Sequence, residues 1–133
     1  MTTSILFLCP HNAAKSVFAL AYFNKLVQQA GLSAVADSAG TEPDATISLL
    51  VASMLAKEGL DVSYMRPRNV TTEDLQKAQR IISMGCSPDE LGVPAERVEQ
   101  WTDIPNVSQD AEGARKAIYT HIEQVIAELQ MSR

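Results

Sequence analysis

Apolar positions along this chain fall into two kinds of run, short unbroken ones and longer periodic ones. Ser4 to Cys9 ("SILFLC") is unbroken, as in a strand buried on both faces of a parallel sheet. Ser16 to Ala30 ("SVFALAYFNKLVQQA") is too long for one strand and ends at Gly31, which predicts a helix. Ala34 to Ser38 predicts a second strand, closed by the turn-like "AGTEPD". Ile47, Leu50, Val51, Met54 and Leu55 recur at helical spacing, and that helix should stop at Gly59 with Leu60 making the apolar contact of a Schellman ending.

Further along, Thr71 and Thr72 before Glu73 and Asp74 mark a helix start. Ile81 to Met84 predicts a third strand and Val98 to Trp101 a fourth. Between them, Ser87 and Glu90 fit a capping box with Pro88 at the first helical position. Ile118, Ile122, Val125, Ile126 and Leu129 form one face of a C-terminal helix. Strands alternating with helices imply a parallel sheet covered on both faces. A chain of 133 residues without repeat or linker suits one domain, residues 1–133.

Charge and composition narrow the function. A formal net charge of −5 argues against broad binding to nucleic acid or an anionic membrane, so any anion must be captured locally. No stretch approaches the length of a membrane-spanning helix and no secretory leader is visible. With two cysteines there is no disulfide framework, which makes the cytoplasm the expected location. Cys9, Cys86, His11 and His121 show no metal-ligand spacing, so no metal is expected.

The chemistry concentrates after the first strand. Cys9 opens the loop "CPHNAAKS", where small residues allow backbone N–H groups to converge on an anion. The field of such a loop and of the following helix favours a thiolate, the form that attacks electrophiles. Pro10, His11, Asn12, Ala13, Ala14 and Lys15 are the candidate anion-binding residues; Ser16 could tune the sulfur, and Asn12 suits a left-handed turn. The competing reading makes Cys9 a small buried hydrophobe at the end of a core strand. Cys86 follows the third strand and precedes a helix start, where a thiolate is also favoured; it too could be a buried bystander.

The loop resembles the Cys-x5-Arg-Ser signature of the low-molecular-weight protein tyrosine phosphatases and the related thioredoxin-coupled arsenate reductases. The resemblance continues through "DSAGTEPD" (Asp37 to Asp44), where Ser38 is the counterpart of the serine that supports the loop, and through "RPRNVTTEDL" (Arg66 to Leu75). "IISMGC" (Ile81 to Cys86) and "VEQWTDIPN" (Val98 to Asn106) are similar to the reductase branch. The resemblance implies a four-stranded parallel sheet in flavodoxin-like order. It also implies cysteine chemistry on a tetrahedral oxyanion, with Cys9 as nucleophile.

Two positions depart from the family. Lys15 replaces the loop arginine, a point charge in place of a planar fork. Asn106 and Val107 stand where an aspartate and a proline supply the general acid, and an amide cannot deliver a proton. Asp103 is the nearest substitute, its alternative reading being a solvated loop carboxylate; Asp110 reads as a helix-start residue. Arsenate reduction is therefore expected ahead of phosphomonoester hydrolysis, with a non-catalytic oxyanion- or phosphoprotein-binding module as the third reading. A reductase would bind no cofactor. It would use Cys86 as resolving thiol and an external reductant, thioredoxin or a low-mass thiol.

Overall fold

In the computed structural model, which describes residues 2–132, the first apolar run forms β1 (Thr3–Leu8). Its side chains alternate between two core layers, Ile5, Phe7 and Cys9 on one side and Leu6 and Leu8 on the other. An unbroken apolar run is thus what a central strand of a covered sheet requires. β2 (Ala34–Ala39) and β3 (Arg80–Ser83) flank β1, and β4 (Val98–Gln100) extends the sheet beyond β3. The order is β2-β1-β3-β4 and every pairing is parallel. Leu8 is in register with Ala39 on one side and Ser83 on the other, so three strands end together. From β1 the chain crosses to β2 on one side and then returns past β1 to β3 on the other, which opens a crevice above these ends.

The helices are α1 (Lys15–Ala30), α2 (Leu49–Lys57), α3 (Thr72–Lys77), the single turn α4 (Pro88–Leu91) and α5 (Ala111–Met131). α1 and α5 pack against each other over the layer of Phe7, Phe18 and Phe23, while Leu75 and Leu91 of α3 and α4 join Leu6 and Leu8 in the other layer. The expected alternation is present, with shifted boundaries. α2 starts after Ser48, whose hydroxyl caps it, so Ile47 lies outside the helix. Met84 and Trp101 lie just past their strands, and a 3-10 turn at Ala95–Arg97 was not apparent from the pattern. The capping box expected of Ser87 and Glu90 forms, and the helix start at Thr71 is a second one, made with Asp74. Asp110 caps α5 through the amide of Gly113.

α2 ends in the Schellman geometry: the Leu60 amide reaches the Leu55 carbonyl at 2.9 Å and the Gly59 amide that of Ala56 at 3.0 Å. Gly59 has φ 79°, a conformation costly for any residue with a Cβ. Among the described residues no helix is long and apolar enough to cross a membrane.

Arg68 ties α3 to the sheet. Its guanidinium donates to both carboxylate oxygens of Asp74, at 2.8 and 3.1 Å, and to Asp37 of β2 at 2.7 Å. Hydrogen bonding from Arg68 holds the Asp74 carboxyl below the usual carboxylate range. A lowered folded-state value means that Asp74 stabilises the fold above the ordinary carboxylate range and stops doing so as pH falls through the lower value. Asp74→Asn should therefore cost about 1–2 kcal/mol at neutral pH, through the weakened cap and ion pair. The gap between the urea midpoints of the two proteins should narrow as pH falls through the lowered value. A gap that stays constant with pH would mean that the charge contributes nothing.

Candidate active site

Cys9 lies one residue beyond β1, where its amide still reaches the Ala39 carbonyl at 3.4 Å. Its Sγ is 3.1 Å from Ser16 Oγ and accepts the Ser16 amide at 3.4 Å. Asn12 sits behind them, buried, with φ 49° as a tight loop requires. Its Nδ2 donates to Ser16 Oγ at 2.8 Å and to Ser38 Oγ at 3.0 Å, while its Oδ1 accepts the Arg68 amide at 3.0 Å. Because Asn12 donates to Ser16, the Ser16 O–H is left to point at sulfur when sulfur carries the charge.

The loop's carbonyls are turned outward and tied. Pro10 O accepts the Glu42 amide at 2.7 Å, His11 O the Asp44 amide at 3.0 Å, and Ala13 O the Ser48 amide at 3.0 Å. A peptide unit whose C=O is held outward presents its N–H inward, here the amides of His11, Asn12 and Ala14. Among the described residues these, and the amides of Ala13 and Lys15, have no protein acceptor. α1 has no side-chain cap and no acid in its first turn, so its N-terminal field is open as well. Such an arrangement can cradle an anion on main-chain donors, with a thiol at its base.

Gly40 closes the cradle from below. A Cβ there would lie 2.4 Å from Pro10 O and 2.6 Å from Cys9 O. Its amide donates to the Arg68 carbonyl and its carbonyl accepts the Val70 amide, which brings the Arg68 amide up to Asn12.

A cleft of about 520 Å³ stands above the cradle, a size suited to a small-molecule group. Cys9, Pro10, His11, Ala13, Ala14 and Lys15 form its floor. Met84, Ile104 and Val107 give it apolar walls, and Asp44 and Asn106 add polar groups. Lys15 makes no ion pair among the described residues. Asn12, Ser16 and Ser38 lie beneath, as a buried brace.

Asp103 and Cys86 are not part of this lining. Asp103 is 65% exposed and pairs with His121 Nε2 at 2.8 Å, and that hydrogen bond lowers its pKa. His121 in turn stacks on Trp101, ring centroids 4.5 Å apart. Cys86 is buried in the layer of Leu6, Leu8 and Leu91, whereas Cys9 belongs to the other layer. Burial pushes the Cys86 thiol up, which corrects the expectation of a helix-stabilised thiolate. α4 is only one turn long and is capped by Ser87, so desolvation outweighs its field. Thr41 Oγ1 is 3.7 Å from the sulfur, and the Cys86 carbonyl is held by Ser83 Oγ at 2.7 Å and Gln100 Nε2 at 3.2 Å.

Residues 4–100 match the model of the low molecular weight phosphotyrosine protein phosphatases. The chain belongs to this family. A protein of Halobacterium salinarum, provisionally named an arsenate reductase, is 30% identical over 131 residues, covering 96% of this chain and 91% of its own. The thioredoxin-dependent arsenate reductase of Corynebacterium glutamicum is 26% identical, with a TM-score of 0.80 over 99% of this chain and 64% of that one. The crystal structure of YfkJ from Bacillus subtilis has the same fold, with a TM-score of 0.89 at 24% identity, covering 100% of this chain and 98% of that one.

The two positions that depart from the Cys-x5-Arg-Ser signature and its general acid both line the cleft, Lys15 on its floor and Asn106 on its wall. The main-chain carbonyl of Asn106 accepts the amides of Gln109 and Asp110 in the turn before α5, and its side-chain Oδ1 accepts the Ser108 hydroxyl at 3.4 Å. Sequence reasoning missed Gly40, Asp44, Ser48 and the Arg68 amide. Gly40 and Asp44 stand in the quoted "DSAGTEPD", but nothing in the letters says that this segment wraps the loop. Arg66 donates to the carbonyls of Ser63 and Met65, and Arg68 to Asp37 and Asp74, so neither guanidinium turns to the cleft. Among the described residues no cluster of three or more His, Cys, Asp or Glu side chains could hold a metal ion.

Proposed function

We propose that the cradle holds a tetrahedral oxyanion and that Cys9 attacks it, with arsenate the preferred substrate. The observation that carries this reading is Cys9 Sγ at the base of a loop whose carbonyls are tied outward, with Ser16 and Asn12 bracing the sulfur. The thiolate of Cys9 displaces hydroxide from arsenic and forms an S–As bond. A second thiol then attacks the Cys9 sulfur, the electron pair of the S–As bond passes to arsenic, and arsenite leaves. Cys9 and the second thiol end as a disulfide, which an external reductant, thioredoxin or a low-mass thiol, reopens.

The relatives of 30% and 26% identity support arsenate over phosphate esters, as does the amide at position 106. Cys86 is the in-chain candidate for the second thiol, and its burial requires the segment after β3 to move before it can reach Cys9. Two free thiols suit a reducing, cytoplasmic setting. Phosphomonoester hydrolysis is the second reading, favoured by the family match and by an apolar-walled cleft larger than a bare oxyanion.

Wild-type protein should be assayed in parallel with arsenate plus thiol reductants and with an aryl phosphate. Arsenite release supports the first reading, phosphate release alone the second. Phosphate binding without either product would make this a binding module.

Lys15 provides a separate check. Lys15→Arg should tighten phosphate or arsenate binding by on the order of 1–3 kcal/mol, because a guanidinium can grip two oxygens at once. Calorimetry with inorganic phosphate measures this directly. Equal affinities in wild type, Lys15→Arg and Lys15→Ala would show that the lysine takes no part.

A further inference from the structure

Attack by Cys9 creates a need for a proton at the leaving oxygen. Asn106 has none to give, and Asp103 is engaged with His121 outside the cleft. Apart from Cys9 and Lys15, the titratable side chains lining the cleft are His11 and Asp44. His11 Nδ1 lies 3.0 Å from the Glu42 carbonyl oxygen and 3.5 Å from Asp44 Oδ1. A carbonyl oxygen only accepts, so Nδ1 must carry the hydrogen in that bond. That assigns the tautomer and leaves Nε2 as the atom that takes up and releases a proton. Among the described residues Nε2 has no protein partner. The ring's position is also fixed relative to the anion: the segment that presents the Glu42 carbonyl clamps Pro10 O and His11 O through the amides of Glu42 and Asp44.

We propose that His11 is the proton donor of this site, a role that deepens the oxyanion reading above and rests on it. With a phosphomonoester, Cys9 Sγ forms the S–P bond as the P–O bond to the organic group breaks. The electron pair of that bond stays on the leaving oxygen, which takes the proton from His11 Nε2. In the second step a water oxygen displaces sulfur from phosphorus and gives its proton to Nε2. The thiolate and the imidazolium are thereby restored. With arsenate the same proton converts the departing hydroxide to water. Asp44, facing Nδ1, fixes the ring as a positioning residue.

The test is leaving-group dependence, measured with phenyl, 4-nitrophenyl and 2,4-dinitrophenyl phosphate, and arsenite release measured alongside. Wild type, His11→Gln, Asp44→Asn and Asp103→Asn are compared. His11→Gln should lose about 10²-fold with phenyl phosphate, the usual scale of general acid catalysis, and progressively less as the leaving group becomes more acidic. A loss of equal size across the three esters would overturn the assignment, since it would describe a ring that only positions substrate. A steep dependence appearing in Asp44→Asn or Asp103→Asn but not in His11→Gln would overturn it as well. If wild type releases arsenite without any phenol, His11→Gln should slow that release by a similar factor, and an unchanged rate overturns the proton donor alone; release of neither product overturns it together with attack by Cys9.

Discussion

Cys9→Ser should lose turnover by about 10⁴-fold or more while keeping its fold and its affinity for inorganic phosphate. A serine hydroxyl is a far weaker nucleophile than a thiolate, and nothing at the base of the cradle could ionise it. The grip on the anion should survive because it comes from the amides of residues 11–15, none of which bonds to the sulfur. Stability should change little. The new hydroxyl would be buried, but the Ser16 amide and Ser16 Oγ, now bonded to sulfur, are in place as partners. Steady-state assays, a thermal melt and a phosphate titration read out the three parts separately. Turnover within tenfold of wild type would remove Cys9 from the mechanism.

Gly40→Ala should damage both stability and activity from a position that touches no substrate. The added methyl would lie 2.4 Å from Pro10 O, 2.6 Å from Cys9 O and 3.0 Å from Pro10 C, all of them backbone atoms that cannot rotate away. Relief requires the Cys9–Pro10 segment to move, or Gly40 to give up its bridge to Arg68 and Val70. Overpacking of this kind costs about 1–3 kcal/mol. A displacement near 1 Å at the nucleophile costs about 10²-fold in rate. Denaturation midpoints and kcat/KM should both fall, with phosphate affinity falling too because Pro10 frames the cradle. A variant of wild-type stability and rate would mean that the loop is soft and that the close approach has no function.

The centre of the sheet was legible because an unbroken apolar run such as Ser4 to Cys9 fits few other environments; the edge strand β4, Val98-Glu99-Gln100, carries a much weaker signal. The site was legible where its residues are contiguous, from Cys9 to Ser16. What escaped depends on contacts between distant segments. Nothing local to "TEPDATIS" tells that its amides hold the carbonyls of Pro10, His11 and Ala13. Nothing local to Cys86 tells that its thiol turns into the layer of Leu6 and Leu91, since the same capping box would form with the thiol exposed. Asp103 seemed free to act as an acid because its partner, His121, is on a helix that begins eight residues later and runs back past the loop.

The outward-tied carbonyls divide labour between main chain and side chains in the loop. Charge is recognised by peptide groups, which every residue has, and the atoms that hold those groups in place belong to other segments. The side chains of Pro10 and Ala14 are therefore released from gripping the anion and can vary with whatever the anion is attached to. Exchanging them should retune selectivity among oxyanion carriers without rebuilding the cradle, which makes these two positions the natural sites for redesigning substrate choice on this scaffold.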